Sequence, residues 1–570
     1  MNTESKLHKV RNIETLKDMI NGNAALFGDR TAFMTKEKKG GEYSSITFSQ
    51  FKRDVDALGT KLIEMGLGGQ KIAIMGNNCY QWVVAYFAIV NGAGVAVPLD
   101  KELKQNEIEN LIKTADCKAV FFTNNYKKYF EKSDLQYLFS MDAYQIKENM
   151  NKENHIYSLI NDGYKLLDGG DDTFIKINLD PNEMRVILFT SGTTGTPKGV
   201  MLCHRNICSD VMATNQIVKL YEGESSLSIL PIHHTFESSM GIMVILSQGC
   251  AVAFCEGLKY VLKNIQEAQT SILIGVPLIV ESIYNKIWKE AIKSKKDKML
   301  NVAIKLNKTL QKLGIDQRRK IFHSVYKKFG GNLRLIICGA AALDPNVLRG
   351  FVDLGFDISQ GYGLTETSPL VTGVPDFEDI HKKAGSCGPA IPGVEIKIDN
   401  PSEDGIGEVL IKGPNVMLGY YNLPEETAKV IVDGWFHSGD LGFMDKDGWL
   451  YLTGRSKNVI VTKTGKNIYP EEIELEINAL DFVEECMVYG LEEEGNDDLL
   501  VAVQIKPDYE SIVERNGREL NDAEIYEFFK DEIYELNKKL PSYKRVKSIT
   551  VRKEDFIRTT TKKIKRQENL

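Results

Sequence analysis

The sequence predicts a mixed α/β protein in which mostly parallel sheets with covering helices form a large N-terminal domain, followed by a small α+β domain. Between about residues 46 and 188, helical patterns alternate with short apolar runs, and the alternation resumes further along the chain. This order is typical of parallel sheets with helices on both faces. After about residue 392, strands alternate directly with turns, and the C-terminal residues are richer in charge. A β-rich subdomain and then a separate small unit are expected there.

Short apolar runs account for the predicted strands. They are residues 71–75, 119–122, 227–230, 272–275 and 333–338 in the parallel sheets, and 394–398 and 407–411 in the β-rich part. Residues 82–99 form the longest uncharged run, which Asn91, Gly92, Gly94 and Pro98 interrupt. A buried helix followed by a buried strand is therefore expected there, and not a membrane span.

The composition is that of a soluble globular protein with several domains. The chain has 570 residues, of which 43% are hydrophobic and 26% charged, and its formal net charge is −7. A net negative charge argues against a protein that binds nucleic acid. Nine cysteines are spread without zinc-type spacing, and the N-terminus lacks the apolar core of a signal peptide. The sequence therefore predicts a cytoplasmic protein with buried, reduced thiols.

A strongly basic stretch lies between residues 293 and 328. It contains twelve Lys and Arg residues against two Asp residues, a net charge of +10. Apolar residues recur there at three- and four-residue steps, which indicates an amphipathic helix. These residues are Met299, Ala303, Leu306, Leu310 and Leu313. Two interpretations are open: the apolar stripe packs on the body of the protein, which we favour, or the helix makes peripheral contact with the inner face of a membrane.

Residues 190–199, TSGTTGTPKG, are the most informative segment. Apolar runs at 186–189 and 200–202 flank it, so a glycine-rich loop between two strands is expected. Glycines let backbone N–H groups approach an anion, hydroxyl groups add donors, and Lys198 adds a charge suited to phosphate. Pro197 and Gly199 stand where the common phosphate-loop motif needs Gly and Ser or Thr, so a kinase of that class is excluded. The segment predicts a different polyphosphate-binding loop.

Four further segments carry side chains suited to a nucleotide. They are residues 338–343 (CGAAAL), 360–367 (QGYGLTET), 435–440 (WFHSGD) and 454–457 (GRSK). A planar ring can stack on a base, a hydroxyl group can bond to phosphate, and a carboxylate can hold Mg²⁺. Each segment alone is a weak signal, since an Asp after a Gly is usually only part of a turn.

In this order and at these spacings, the segments resemble those of the adenylate-forming superfamily, which includes acyl-CoA synthetases, luciferases and the adenylation domains of peptide synthetases. Residues 230–237 (LPIHHTFE), 385–394 (GSCGPAIPGV) and 454–462 (GRSKNVIVT) are similar to the long-chain fatty acyl-CoA synthetase form. The resemblance covers nearly the whole chain. It implies an AMP- and acyl-binding domain over residues 1–455, with layered parallel sheets and a distorted β subdomain. Residues 456–570 would form a small, mobile α+β lid domain.

The resemblance also implies roles for individual residues. The loop would close over the β- and γ-phosphates of ATP through Thr190, Ser191, Gly192, Thr193, Thr194, Gly195 and Lys198. The adenine would lie among Gly339, Ala340, Ala341, Gly361, Tyr362 and Gly363. The ribose would be held by Asp440 and Arg455, the α-phosphate by Thr365, and Mg²⁺ by Glu366. Thr193, His234 and Glu366 would take part in catalysis, with His234 placed where the acyl chain, carboxylate and thiol path meet.

The C-terminal motif departs from the commonest family form, because lysine replaces glycine in residues 559–566 (TTTKKIKR). Alignment on Ile564 gives the catalytic role to Lys563, and Lys562 stays an alternative. Lys457 matches the hinge about which the small domain rotates in the family.

The resemblance implies an ATP-dependent acid–thiol ligase. The enzyme would activate a fatty acid, long-chain by its motifs, as an acyl-adenylate and pass the acyl group to CoA with release of AMP and pyrophosphate. ATP, Mg²⁺ and CoA would be its cofactors, and residues 236–243 and 275–279 are candidate lining for the acyl chain. Open alternatives are a ligase that loads an acyl carrier protein, a medium-chain or aromatic acyl-CoA synthetase, and a nucleotide-binding regulatory or membrane-scaffolding protein.

Overall fold

The computed structural model of the chain describes residues 6–142, 154–190, 197–462, 466–493, 496–559 and 563–570. These residues divide into two compact units. The first unit comprises residues 1–395 and 412–436, and the second comprises residues 396–411 and 437–570. The boundary after residue 455, which the sequence predicts, stays a prediction.

The strands are named in chain order. They are β1 (Thr31–Lys36), β2 (Tyr43–Thr47), β3 (Gln70–Met75), β4 (Gly94–Leu99), β5 (Cys117–Thr123), β6 (Tyr137–Met141), β7 (Met184–Thr190), β8 (Lys198–Cys203), β9 (Ser225–Ser228), β10 (Ala251–Phe254), β11 (Ile272–Gly275), β12 (Leu335–Cys338), β13 (Asp357–Gly363), β14 (Leu370–Gly373), β15 (Glu395–Asp399), β16 (Gly407–Lys412), β17 (Gly419–Tyr420), β18 (Ile431–Val432), β19 (Trp435–Met444), β20 (Leu450–Arg455), β21 (Ile460–Val461), β22 (Asn467–Ile468), β23 (Val483–Glu493), β24 (Asn496–Pro507) and β25 (Ser548–Val551).

The α-helices are named in the same way. They are α1 (Leu16–Phe27), α2 (Phe48–Glu64), α3 (Tyr80–Ala88), α4 (Gln105–Ala115), α5 (Ile156–Asp168), α6 (His204–Ile217), α7 (Ile245–Ser247), α8 (Val261–Glu267), α9 (Pro277–Lys293), α10 (Asp297–Lys312), α11 (Arg318–Ile321), α12 (His323–Lys328), α13 (Pro345–Leu354), α14 (Pro424–Val430), α15 (Pro470–Asn478), α16 (Tyr509–Asn516), α17 (Asp522–Asn537) and α18 (Arg566–Asn569). Two π-helical segments, Ile89–Ala93 and Phe236–Val244, and several short 3₁₀ turns complete the elements.

Two large sheets form the frame of the first unit. One has the order β17-β8-β7-β4-β3-β5-β6, and the other has the order β14-β13-β12-β11-β9-β10-β1-β2. Inner neighbours pair in parallel, whereas β2, β8, β14 and β17 pair antiparallel at the ends of the sheets. The predicted mixed α/β fold with mostly parallel sheets is therefore confirmed.

Burial explains why these segments become inner strands. All six residues of β4 are buried, because helices cover both faces of a parallel sheet. The run at residues 82–99 folds as α3, a π-helical segment and β4, as its interrupting residues predict. Among the described residues, no helix is long and apolar enough to cross a bilayer.

The second unit has its own core. Strands β15, β16, β19 and β20 form a sheet in which β20 runs antiparallel to β19, and β23, β24 and β25 form another. Helices α15 and α17 contribute Ile473, Ile477, Phe529 and Ile533 to a buried cluster with the strands of the three-stranded sheet. The predicted small α+β unit thus has a hydrophobic core of its own.

Nearly all cysteine side chains are buried in the protein interior. Eight of the nine side chains are buried and Cys255 is half-buried. Burial raises the pKa of the Cys79, Cys117 and Cys250 thiols to about 12.

Candidate active site

The glycine-rich loop joins two antiparallel strands, as the sequence predicts. In the pairing of β7 with β8, Thr190 lies opposite Lys198, and the Thr190 hydroxyl donates to the Lys198 carbonyl oxygen at 3.5 Å. A Cβ on Gly199 would approach the side chains of Ile187 and Phe189 to 2.9 and 3.2 Å, so this strand end is tightly packed. Ser191, Gly192, Thr193, Thr194 and Gly195 lie outside the described residues, so their roles stay predictions.

Lys198 has two partners that the sequence did not indicate. Its Nζ lies 2.7 Å from Glu426 Oε2 at the start of α14 and 4.9 Å from the centre of the Tyr420 ring. The Lys198 side chain is only 19% exposed. Lys198, assisted by Lys429, lowers the pKa of Glu426 to about 2. The lysine predicted to bind phosphate thus lies between a carboxylate and an aromatic ring.

Tyr420 connects this lysine to Glu366. The Tyr420 hydroxyl donates to Glu366 Oε1 at 3.0 Å, and burial, together with the Glu366 charge, raises the pKa of Tyr420 well above its ordinary value. Glu366 belongs to a 3₁₀ turn, Thr365–Thr367, and its carbonyl oxygen accepts from Met417 N at 2.8 Å. The residues predicted to bind the phosphates and Mg²⁺ are therefore joined through one phenol.

The backbone around Glu366 is fixed by buried polar side chains. The Asn206 amide of α6 donates to the carbonyl oxygens of Pro414 and Val416, both at 2.8 Å. Asn415 donates to Leu370 O at 2.7 Å, and Asp210 accepts from Leu370 N at 3.1 Å. Burial raises the pKa of Asp210 well above its ordinary value. These bonds hold both sides of the turn that carries Glu366.

The two predicted adenine segments follow neighbouring strands. Strands β12 and β13 pair in parallel with Cys338 opposite Gln360, so Gly339 and Gly361 follow at the same edge of the sheet. Ala340 has a φ of +71°, and Ala341 is exposed. Tyr362 is 8% exposed. The carboxyl ends of parallel strands are where ligands bind in open α/β sheets.

Glycine is required at this edge by close backbone approach. A Cβ on Gly363 would lie 1.7 Å from the Pro369 carbonyl oxygen, and one on Gly361 would lie 2.8 Å from Thr372 O. A side chain at either position would force β13 and β14 apart. The glycines therefore bring the turn with Thr365 and Glu366 next to β13.

His234 lies between β9 and the π-helical segment Phe236–Val244. Its Nδ1 accepts from Phe236 N at 3.2 Å, and its carbonyl oxygen accepts from the Ser238 hydroxyl at 3.2 Å. The Phe236 ring packs against Gly339, which belongs to one of the predicted adenine segments: a Cβ on Gly339 would lie 3.0 Å from the ring. Gly275 ends β11 opposite Cys338, so the residues at 236–243 and 275–279 border the same strand end.

Glu237 belongs to both segments that the sequence indicates here, residues 230–237 and 236–243, but its burial was not predicted. Its side chain is 1% exposed, and its Oε2 accepts from Leu230 N at 3.3 Å. Burial raises the pKa of Glu237 to about 8, so it is mostly protonated at neutral pH. An acidic residue within an apolar stretch was the signal that could have identified it.

A single carboxylate fits Mg²⁺ that arrives with a nucleotide. Mg²⁺ keeps several waters and binds one or two carboxylates together with substrate phosphates. Glu366 is partly exposed and fixed in place, and in the part of the chain that the structure describes no three His, Cys, Asp or Glu residues cluster into a metal site. Glu366 therefore suits a nucleotide-borne ion better than a resident one.

In the second unit, the structure brings Asp440 and Arg455 together. They lie opposite each other on β19 and β20, and Arg455 Nε is 3.0 Å from Asp440 Oδ1. Asp440 is 6% exposed. Lys457 follows in the 3₁₀ turn Ser456–Asn458, where burial, followed by the charges of Arg455 and Arg566, lowers its pKa.

Lys563 is exposed, and its backbone is hydrogen-bonded to Thr559. Thr559 N donates to Lys563 O at 2.8 Å, and Lys563 N donates to the Thr559 hydroxyl at 3.1 Å. Both flanks are attached to β23 or α15: Arg558 pairs with Glu485, and Arg566 binds both Glu474 oxygens at 2.7 and 2.6 Å. Lys562 lies outside the described residues.

The fold is one that AMP-binding enzymes share. The model of the AMP-binding enzyme family matches residues 21–421 of the chain. The chain belongs to this family.

Relatives of the chain include acyl-CoA ligases. Long chain acyl-CoA synthetase 7, a peroxisomal protein of Arabidopsis thaliana, is 27% identical over 569 residues, which cover 93% of this chain and 80% of the relative. A feruloyl-CoA synthase of an Amycolatopsis species is 27% identical over 468 residues, covering 80% and 82%. The ATP-bound crystal structure of MatB from Rhodopseudomonas palustris has a TM-score of 0.74 at 23% identity, covering 97% and 98%. That likeness supports the fold.

Proposed function

We propose that this protein activates a long-chain fatty acid as an acyl-adenylate and transfers the acyl group to CoA, with release of pyrophosphate and AMP. The observation that carries the proposal is the chain of contacts from Lys198 through Tyr420 to Glu366, beside the ends of β12 and β13. This arrangement supports the proposal, because a cation and a carboxylate are what the phosphates and Mg²⁺ of a nucleotide require near the end of parallel strands.

In the first step, a carboxylate oxygen attacks the α-phosphorus of ATP, and the bond to the pyrophosphate oxygen breaks. Negative charge approaches negative charge, so positioned cations lower the barrier. Lys198 and the loop hold the β- and γ-phosphates, Thr365 contacts the α-phosphate, and Lys563 binds the reacting carboxylate. Glu366 would hold the Mg²⁺ that ATP carries, and this ion would neutralise phosphate charge.

In the second step, the thiol sulfur attacks the acyl carbon, loses its proton, and AMP leaves with the electrons of the acyl–oxygen bond. The small domain rotates about Lys457, which removes Lys563 from the path of the thiol. Asp440 and Arg455 hold the ribose in both steps. His234 borders the place where the acyl carbon and thiol meet.

Chain length is proposed on the motifs and on relatives. Each buried methylene contributes about 0.8 kcal/mol, so selection for long chains requires a long apolar path. The buried segment Phe236–Val244 beside Gly275 is the region that would begin such a path. The feruloyl-CoA synthase relative makes an aromatic acid the second candidate substrate.

The test is pyrophosphate release with a series of saturated acids from C4 to C18 and with ferulic acid, each with and without CoA. Long-chain specificity predicts that kcat/KM rises with chain length and that AMP appears only when CoA is added. A maximum at ferulic acid or at short chains would reject the long-chain assignment. AMP release that needs an acyl carrier protein in place of CoA would identify the alternative acceptor.

A further inference from the structure

Helix α10 carries an exposed row of apolar side chains. Met299, Val302, Leu306 and Leu313, here called the α10 stripe, are 63%, 64%, 56% and 71% exposed. They are spaced by three, four and seven residues, so they lie along one line of the helix. The expectation that the basic helix packs its apolar stripe on the body is therefore wrong for Met299, Leu306 and Leu313.

The face of α10 that adjoins the α10 stripe attaches the helix to the protein. Asn307 is 1% exposed, and Leu300 and Ile304 are partly buried about 100–140° around the helix from Met299. Leu310, which lies between this face and the stripe, is also partly buried. Lys308 Nζ lies 2.7 Å from Asp353 Oδ2 of α13. The helix therefore packs on the protein through other apolar residues, and the α10 stripe stays exposed to solvent.

A row of exposed lysines runs beside the α10 stripe. Lys298, Lys305 and Lys312 follow each other at seven-residue steps, and each directly precedes a stripe residue. They lie therefore about 100° around the helix from the stripe, on the adjoining face. The surrounding stretch, residues 293–328, has twelve basic and two acidic side chains, and Asp316 is paired with Arg318 at 2.7 Å.

We propose that α10 is a docking surface for an anionic lipid bilayer. The stripe enters the boundary between headgroups and acyl chains, and the lysine row binds headgroup phosphates. The charge of the surface favours a membrane over a second copy of the chain. Two copies would bring two positively charged surfaces together, whereas an anionic membrane has the complementary charge. The proposal concerns a surface outside the active site and goes beyond the proposed function.

The test is co-sedimentation of the purified full-length protein with two kinds of vesicle. One consists of phosphatidylcholine alone, and the other contains about 30% of the anionic lipid phosphatidylglycerol. Binding is expected only to the anionic vesicles and should weaken with salt. The triple variant Lys298→Gln/Lys305→Gln/Lys312→Gln should bind on the order of 100-fold more weakly. Val302→Ser/Leu306→Ser should lose roughly tenfold.

The matched control is Lys127→Gln/Lys128→Gln/Lys132→Gln, which removes the same charge from three exposed lysines elsewhere in the first unit. It should bind anionic vesicles like the wild type. Equal loss in both triple variants, or wild-type binding by the stripe variant, would overturn the proposal. A stripe variant that changes the sedimentation mass of the protein without lipid would instead identify a protein–protein surface. Vesicle binding needs no turnover, so these outcomes do not depend on the proposed activity.

Discussion

Two lysines are proposed to bind anionic groups of the substrates, Lys198 in the first unit and Lys563 in the second, and they are held in different ways. Lys198 is mostly buried and lies against the Glu426 carboxylate and the Tyr420 ring. Lys563 is exposed, and the arginines on either side of it along the chain, Arg558 and Arg566, pair with Glu485 and Glu474. The Lys198 side chain is held by direct contacts of its ammonium group. Lys563 is instead positioned through ion pairs of residues near it along the chain, which leaves its side chain able to move toward a substrate.

The sharpest test of the comparison is Lys563→Ala. Loss of a well-placed donor should reduce adenylation by about 10²–10³-fold, measured as single-turnover pyrophosphate release. Thioester formation from synthetic acyl-adenylate should stay within about threefold, because the lysine serves only the first step. Lys565→Ala, two residues further along, is the matched control. Equal loss in both half-reactions would reject the assignment.

The ion pair that attaches the backbone after Lys563 can be removed without removing the lysine. Arg566→Gln leaves Glu474 buried without its charged partner, so the free energy of unfolding should fall by about 3 kcal/mol, measured by urea denaturation. Adenylation should fall roughly tenfold, because the backbone that positions Lys563 is displaced.

The double variant Glu474→Gln/Arg566→Gln separates positioning from stability. It should recover most of the stability, because no unpaired charge stays buried, while adenylation stays low. Recovery of adenylation together with stability would mean that Arg566 has only a structural role.

Glu237 is a buried acid of the first unit whose protonation can be tested. The pKa of Glu237 is about 8 in the folded chain against an ordinary value of 4.5. Between these values the folded state holds a proton that the unfolded state has lost, so this residue makes stability fall as pH rises. In the wild type, Glu237 should lower the free energy of unfolding by up to about 1.4 kcal/mol for each pH unit between pH 5 and 8. Glu237→Gln should abolish this contribution.

Urea denaturation at several pH values measures this difference, with exposed Glu109→Gln as the control. An identical pH slope in wild type and Glu237→Gln would contradict the inference that Glu237 is protonated in the folded protein.

The smallest expected effect concerns the partner of Lys198. Glu426 competes with phosphate for this lysine, so Glu426→Gln should lower the KM for ATP by about two- to fivefold with little change in kcat, as for a half-exposed ion pair. Glu425→Gln, its exposed neighbour on α14, should leave the KM for ATP unchanged. A raised KM would show instead that Glu426 orients Lys198 for phosphate.

The sequence predicted elements whose cause is local. The apolar run at 272–275 is β11, and the runs around the glycine-rich loop are β7 and β8. Periodicity also predicted a helix within the basic stretch. It could not show which side of α10 is covered, because α10 has apolar residues on two faces, and only packing against α9 and α13 decides between them.

Partners that are distant along the chain were beyond sequence reasoning. Glu426 is 228 residues from Lys198, and Tyr420 is 54 residues from Glu366. The sequence around Glu426 and Tyr420 contains no pattern typical of a phosphate-binding site. What brings them to the site is the pairing of β17 with β8 and the bonds from Asn206 to the preceding backbone.

Burial of the cysteines has a practical consequence for work with this enzyme. A thiol reacts as its thiolate, and a pKa of about 12 at Cys79, Cys117 and Cys250 leaves almost none of that form at neutral pH. An aromatic disulfide dye added to the folded protein should therefore develop colour slowly. The same dye could then follow consumption of the CoA thiol directly, with little background from the catalyst.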